Sequence, residues 1–282
     1  MRWIGREQSQ NIEDRRGIKG SRVAKGGILG TIIIAILVWL LGGNPLEVFN
    51  GMQSQSTEYT TETTGTKSKD GLDQFVAVVL KDTEDVWNKL FQQSGKSYRE
   101  PTLVLYSQAT ESACGYNSSA TGPFYCPGDE KVYIDLDFLK LLQQKIDAPG
   151  DFAQAYIIAH EVGHHVQKIL GITAQLEKIR EQVSEEEFNK YSVKLELQAD
   201  FLAGIWAHYA QKMKNILEEG DIEEALNAAS AVGDDRLMMK SRGYVVPDAF
   251  THGTSKQRVY WFTKGFKTGD INEGDTFSIK EL

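Results

Sequence analysis

Cysteine is scarce in this sequence, which has only Cys114 and Cys126 among its 282 residues. Because there is no CxxC pair and no second pair of cysteines, the sequence argues against a structural zinc site held by thiolates. If this part of the chain lies outside the cytoplasm, we expect the two cysteines to form a disulfide that closes a short loop. If it lies in the cytoplasm, two free buried thiols are the better interpretation.

Proline is also rare, with six residues, and hydrophobic residues make up 41% of the chain, which can therefore bury one sizeable domain. From Gly71 onward apolar residues recur mostly at helical spacing, whereas the runs at 102–106 and 131–136 predict short strands. Asp151 is the predicted N-cap of a buried helix. The predicted fold is mostly α with a small β-sheet (α+β), and its helices are expected near residues 72–91, 137–146, 152–168, 174–182, 184–215, 221–232 and 255–267.

The chain has no excess of positive charge, since its formal net charge is −8 at pH 7. Only the first 25 residues are basic, with seven Lys/Arg against three Asp/Glu. The remaining 24 basic and 36 acidic residues carry a charge of −12. That balance argues against binding to nucleic acid and against adhesion to anionic lipid.

One long hydrophobic run, residues 26–43, contains no charged residue. As a helix it would reach about 27 Å, which is near the thickness of a bilayer core. The basic residues before it predict an N-terminus in the cytoplasm, by the positive-inside rule. A cleaved signal peptide is the alternative, although its apolar region would be shorter and no A-x-A site follows here.

The motif HEVGH at residues 160–164 lies in a largely apolar stretch without proline. Residues four apart lie on one face of a helix, so His160 and His164 can direct both imidazoles at one zinc ion. Glu161, at the edge of that face, can hold a water and act as a general base. Gly163 costs about 1 kcal/mol of helix propensity relative to alanine, which indicates that something packs closely against the helix there.

Glu196 and Asp200 form a second pair four residues apart, inside another apolar stretch without proline. A catalytic zinc site takes three protein ligands and keeps one position open for water. Glu196 is therefore the predicted third ligand. Asp200 would accept a hydrogen bond from the non-ligating nitrogen of a zinc histidine and so fix its tautomer.

Several further segments occur in a characteristic order. They are residues 2–6 (RWIGR), a following hydrophobic segment, 124–127 (FYCP), 132–136 (VYIDL), 160–167 (HEVGHHVQ), 196–200 (ELQAD) and 251–255 (THGTS). The pattern HExxH followed by ExxxD resembles the glutamate-type zincins. Together the segments resemble the bacterial family of neutral zinc metallopeptidases, and the similarity covers nearly the whole chain.

This resemblance implies one Zn²⁺ per chain, held by His160, His164 and Glu196, with Asp200 as the partner of His160. It also implies a zincin-like metallopeptidase domain behind a single transmembrane helix. The predicted parts of the chain are a basic cytoplasmic segment (1–25), the transmembrane helix (26–43), a flexible linker (44–70), the zinc metallopeptidase domain outside the cytoplasmic membrane (71–268) and a polar tail (269–282).

Glutamate-type zincins commonly place a histidine, tyrosine or arginine opposite the metal to stabilise the tetrahedral oxyanion. By resemblance His252 is the first candidate for this catalytic role, and Arg258 and Tyr156 come next. For His252 the alternative is a helix-capping or solvent-exposed histidine in a loop.

The leading hypothesis is a membrane-anchored zinc endopeptidase that cleaves a protein or peptide substrate, with Glu161 as the general base. Two alternatives stay open. One is a zinc-stabilised binding or scaffolding protein without turnover, against which the open ligand set argues. The other is a zinc amidase for non-peptide substrates such as cell-wall material, which would share the same metal site.

Overall fold

The computed structural model describes residues 1–17, 71–118, 121–145 and 150–279. Within these ranges the chain is mostly helical with small sheets, as the sequence predicts. The helices are α1 (Leu72–Gln93), α2 (Leu136–Lys145), α3 (Asp151–Ile169), α4 (Ile172–Arg180), α5 (Glu185–Lys214), α6 (Asp221–Ala231), α7 (Asp234–Arg242) and α8 (Ser255–Thr268), with 3₁₀ turns at Pro247–Ala249 and Ile271–Gly274. The strands are β1 (Ile12–Asp14), β2 (Thr102–Tyr106), β3 (Ala109–Ser112), β4 (Gly115–Ser118), β5 (Phe124–Cys126) and β6 (Lys131–Asp135).

The larger sheet has the strand order β1-β2-β6-β5. The first three strands are parallel and β5 is antiparallel to β6, with Tyr125 opposite Val132. β2 and β6 are buried almost throughout, which explains their continuous hydrophobic sequences. β3 and β4 form a separate hairpin. A disulfide joins Cys114 in the hairpin turn to Cys126 of β5.

Residues 1–17 are part of this fold, which differs from the separate segment that the sequence predicts. β1 extends the sheet beside β2, with Ile12 opposite Leu103. The guanidinium of Arg6 donates to Asp82, a buried residue of α1. Strand pairing and buried ion pairs with residues far along the chain determine the conformation of this short charged stretch, so local sequence propensity does not reveal it.

This packing has a consequence for the predicted membrane topology. A single crossing by residues 26–43 would place residues 1–17 and 71–279 on opposite sides, and β1 could not then pair with β2. The predicted transmembrane helix and the linker at 44–70 lie outside the described residues. Within the described ranges, no helix is long and apolar enough to cross a membrane.

The motif helix α3 lies at the centre of the helical layer, packed against α5, α6 and α1. Its N-terminus is capped differently from the prediction. Gly150 precedes the helix, and Glu224 of α6 accepts a hydrogen bond from the backbone N–H of Phe152 at 3.0 Å. Asp151, the predicted N-cap, instead contacts the amino group of Met1.

α8 packs closely along α5 because Gly265 has no side chain. A Cβ at Gly265 would lie 2.1 Å from the carbonyl oxygen of Phe201. The chain after α8, predicted as a polar tail, packs onto α5 as well. Thr276 is fully buried and its hydroxyl donates to the carbonyl of Lys194 at 2.6 Å. The folded body therefore continues beyond residue 268.

Candidate metal centre

Two buried helices cross at the candidate metal centre. α3 carries the HEVGH motif and α5 carries Glu196 and Asp200. The helices approach each other closely at Gly163, where an added Cβ would lie 3.1 Å from the carbonyl oxygen of Ala199 and 3.3 Å from its Cα. This glycine therefore permits the approach that brings the carboxylate of α5 to the histidines of α3.

The three predicted ligands lie together. Nε2 of His160 is 3.1 Å from Oε2 of Glu196, and Nε2 of His164 is 3.4 Å from Oε1 of the same carboxylate. One ligand atom from each residue lies within 4.8 Å of the others. Burial alone would raise the pKa of Glu196, but the two imidazoles bring it well below its usual value. The side chain is therefore an anionic donor between two imidazole nitrogens.

His160 is oriented by a buried network centred on Asp200. Nδ1 of His160 lies 2.9 Å from Oδ1 of Asp200, so the N–H on Nδ1 leaves Nε2 free to face Glu196. The guanidinium of Arg258 donates to both oxygens of Asp200, at 2.8 and 3.0 Å. The hydroxyl of Tyr156 donates to the same carboxylate. Burial alone would raise the pKa of Asp200, but Arg258 and His160 lower it to about 2.

Arg258 and Tyr156, the secondary candidates for the oxyanion role, both belong to this network. Arg258 and Tyr156 are buried, with 4% and 1% of their surface exposed. Their polar groups bind Asp200 behind His160. Both residues therefore support a ligand from the protein side.

His164 has a neutral partner that the sequence analysis did not identify. Its Nδ1 lies 2.9 Å from Oε1 of Gln167, one helical turn further along α3. The three-residue spacing places both side chains on one face, which is the signal that the sequence offers. Glutamine is common on helices, so the spacing alone does not identify this role.

Glu161 lies beside the cluster and faces the end strand of the sheet. Its carboxylate lies near the backbone N–H of Tyr125 in β5, which favours the ionised form. Burial, together with the charge of Glu196, raises the pKa of Glu161, although the two histidines and Tyr125 oppose this shift. His165 holds the strand in place, because its Nδ1 accepts from the Tyr125 hydroxyl at 3.0 Å and its Nε2–H donates to the carbonyl of Arg99 at 2.6 Å.

His252 lies near the cluster but outside the ligand set. Its side chain is 50% exposed, and its pKa is raised: burial alone would lower it, but a hydrogen bond to Asp234 and the charge of Glu196 outweigh burial. Asp234 was not identified from the sequence. Its Oδ2 accepts from the backbone N–H groups of Thr251, His252 and Gly253 at 2.7, 2.6 and 3.1 Å. Asp234 thereby fixes the loop that presents His252.

The donor set fits zinc. Two imidazole nitrogens and one carboxylate are typical zinc ligands, and three protein ligands leave a position for water. Both histidines have acceptors on Nδ1, which favours the tautomer that binds a metal through Nε2. Glu161, a carboxylate outside the ligand set, interacts electrostatically with all three of these residues. Such an arrangement can activate a water for attack on a carbonyl group.

Comparison with known proteins identifies relatives over most of the chain. A family described as "Putative neutral zinc metallopeptidase" matches residues 1–277. The chain is 46% identical over 294 aligned positions to Uncharacterized protein YpfJ of Escherichia coli strain K12, which covers 98% of this chain and 99% of the relative. It is 41% identical over 207 positions to Uncharacterized protein Mb2605 of Mycobacterium bovis and to Uncharacterized protein Rv2575 of Mycobacterium tuberculosis strain H37Rv, covering 70% of this chain and 68% of each relative.

No solved structure matches the chain. The family match covers the motif helix, both carboxylates of α5 and the His252 loop, and it includes the N-terminal residues that form β1. The resemblance noted in the sequence is confirmed: this chain belongs to the family of neutral zinc metallopeptidases.

Proposed function

We propose that this protein is a zinc-dependent peptidase that hydrolyses peptide bonds in a protein or peptide substrate. The observation that carries the proposal is the position of Glu161, a carboxylate outside the ligand set that lies beside two imidazoles and a carboxylate. A purely structural zinc site is usually closed by a fourth side chain. Among the described residues, the cluster contains three ligands: His160, His164 and Glu196.

When bound, zinc supplies a Lewis acid that lowers the pKa of water and polarises a carbonyl group. The carboxylate of Glu161 takes the proton of the attacking water and transfers it to the leaving amine.

His252 is proposed to stabilise the oxyanion that forms during attack. Its Nδ1 faces Asp234 at 3.3 Å, so its other nitrogen is directed away from that carboxylate. Asp234 favours a protonated imidazole, which is a donor on both nitrogens. A donor held in place before reaction stabilises developing negative charge without reorganisation.

The end strand β5 supports an extended peptide as the substrate. In an antiparallel pair the N–H and C=O of one residue point to the same side. Because the Tyr125 N–H lies on the side of Glu161, we expect the Tyr125 carbonyl to point away from β6 and toward the site as well. An extended peptide can bind along such a strand through its own backbone.

The test uses the full chain, because β1 lies before residue 71 and is part of the fold. Zinc per chain and hydrolysis of a mixture of fluorescent peptides are measured for the wild type, Glu161→Gln and Glu196→Ala. We expect one zinc in the wild type and in Glu161→Gln, with activity reduced at least about 10²-fold in the latter. Glu196→Ala should lose zinc and activity together.

Other results would favour the alternatives. Equal activity of the wild type and Glu161→Gln would refute the general base. Normal zinc binding without hydrolysis of any peptide, but with cleavage of cell-wall amides, would favour the amidase. Full zinc retention in Glu196→Ala would mean that the third ligand is another residue.

A further inference from the structure

The two histidines of the metal centre are supported by chemically different partners. His160 is bonded to Asp200, which is ionised and paired with Arg258. His164 is bonded to Gln167, whose amide carries no charge. An amide oxygen can accept the Nδ1–H of the imidazole but does not draw the proton away as a carboxylate does.

The amide of Gln167 has a single orientation. Its Nε2 donates to the carbonyl of Leu195 at 2.7 Å and to Oε1 of Gln198 at 3.0 Å. Both amide hydrogens are therefore used on acceptors in α5, and Oε1 must face His164. Leu195 directly precedes Glu196. One buried side chain thus links the second histidine to the backbone beside the third ligand.

Gln198 continues this chain of hydrogen bonds to the segment after α8. Its Nε2 donates to the carbonyl of Gly274 at 3.0 Å. Two other contacts hold the same segment against α5: Thr276 donates to the carbonyl of Lys194, and the ammonium of Lys194 donates to the carbonyl of Ile279 at 2.7 Å. The C-terminal segment therefore buttresses the turn of α5 that carries Glu196.

We infer that Gln167 and Gln198 are positioning residues of the metal centre, which form an uncharged relay from His164 to the C-terminal segment. Gln167 fixes the tautomer and ring orientation of His164, and Gln198 fixes Gln167. Both are almost fully buried, with 0% and 8% of their surface exposed. The inference rests on the proposed zinc site.

The test compares Gln167→Ala with a matched control, Gln154→Ala. Both glutamines lie on α3 and are buried, but Gln154 donates to the carbonyl of Leu139, away from the cluster. Zinc affinity is measured by competition with a chelating dye, and the ligand field is measured from the absorption spectrum of the cobalt(II) form. Gln167→Ala should weaken zinc binding about 10- to 100-fold and change the cobalt spectrum. Gln154→Ala should change neither, even if its melting temperature falls.

A second variant keeps the test decisive if Gln167→Ala does not fold. Gln198→Leu leaves His164 and Gln167 in place but removes the acceptor that orients Gln167, and a smaller loss of zinc affinity is expected. Wild-type affinity and an unchanged cobalt spectrum in both variants would overturn the relay. So would an equal loss in Gln154→Ala. Failure of the proposed function is distinguishable, because the wild type itself would then bind no zinc or show no dependence on Glu196.

Discussion

At the scale of single residues, His252 has the least direct relation to the metal ligands. It is half exposed, and Asp234, the first residue of α7, holds it in place. A loop histidine that merely capped a helix would not need this support. Thr254, two residues later, already caps α8, because its hydroxyl accepts from the backbone N–H of Gln257. The N-terminus of α8 therefore does not need His252 as a cap, which argues against the helix-capping alternative.

We predict that His252→Ala reduces kcat about 10²- to 10³-fold while zinc affinity stays unchanged, because an oxyanion donor acts in the transition state and His252 is not a ligand. Steady-state kinetics on a peptide substrate and a zinc titration test this. Asp234→Ala should lower kcat in the same direction, since three backbone N–H groups lose their acceptor. Wild-type kcat in His252→Ala would leave the histidine without a catalytic role.

The sequence predicted residues of the site where spacing within one helix carries the information. HExxH and ExxxD each indicate a shared helical face, and Gly163 indicates a close neighbour. The roles of Asp234 and of Arg258 as the partner of Asp200 depend on contacts between distant parts of the chain, and so do the contacts of Gln167 with α5. No periodic pattern marks such contacts, because each residue is ordinary for its own helix or loop.

At the scale of elements, the N-terminal strand is the main difference from the predicted architecture. Just before β1 in the sequence, Ser9 and Asn11 donate to Glu84, a buried residue of α1 with 3% of its surface exposed. Burial raises the pKa of Glu84 above its ordinary value of 4.5, and the hydrogen bonds from Ser9 and Asn11 only partly oppose this shift. The ionised carboxylate is thus disfavoured in the folded protein.

A raised pKa in the folded state gives stability that is present below the unfolded-state pKa and is lost as the pH rises through the folded-state pKa. We therefore predict that Glu84→Gln gains stability relative to the wild type as the pH rises above 4.5. Gln can accept the same bonds without ionising. Urea unfolding from about pH 4 to pH 8, with a chelator present, measures the difference.

For Ser9→Ala we expect the stability relative to the wild type to change with pH in the opposite direction. Without the hydroxyl, the ionised carboxylate loses a donor, so this variant should fall further below the wild type as the pH rises. A pH-independent difference in both variants would show that residues 9 and 84 do not interact in solution.

Among the elements that the sequence analysis missed, β1 and α7 were missed for related reasons. β1 has three residues, two of them acidic, and becomes a strand only by pairing with β2. α7 has the sequence DDRLMMKSR, which offers little apolar periodicity. The long helices were predictable because each carries its own apolar face, and β2 and β6 because burial on both faces requires continuous apolar runs.

At the scale of the whole molecule, residues 1–17 and 71–279 pack together, and the disulfide between Cys114 and Cys126 is the basis of our proposal for their location. Disulfides persist in oxidising compartments and are rare in the cytoplasm. We therefore propose that the folded domain, together with residues 1–17, lies outside the cytoplasmic membrane. This proposal keeps the predicted location of the domain and replaces the predicted location of the N-terminus.

Paired cysteine variants test this topology in cells whose cytoplasmic membrane is intact. Ile4 and Met239 are both exposed, at 84% and 54%, and lie before and after the hydrophobic run at 26–43. Because the native cysteines are joined in a disulfide, each single variant, Ile4→Cys or Met239→Cys, adds one free thiol. A membrane-impermeant maleimide should label both variants equally. Labelling of Met239→Cys alone would mean that residues 1–17 lie across the membrane and that β1 does not pair with β2 in the cell. Labelling of neither variant would place the whole folded body in the cytoplasm, where the disulfide is not expected to persist.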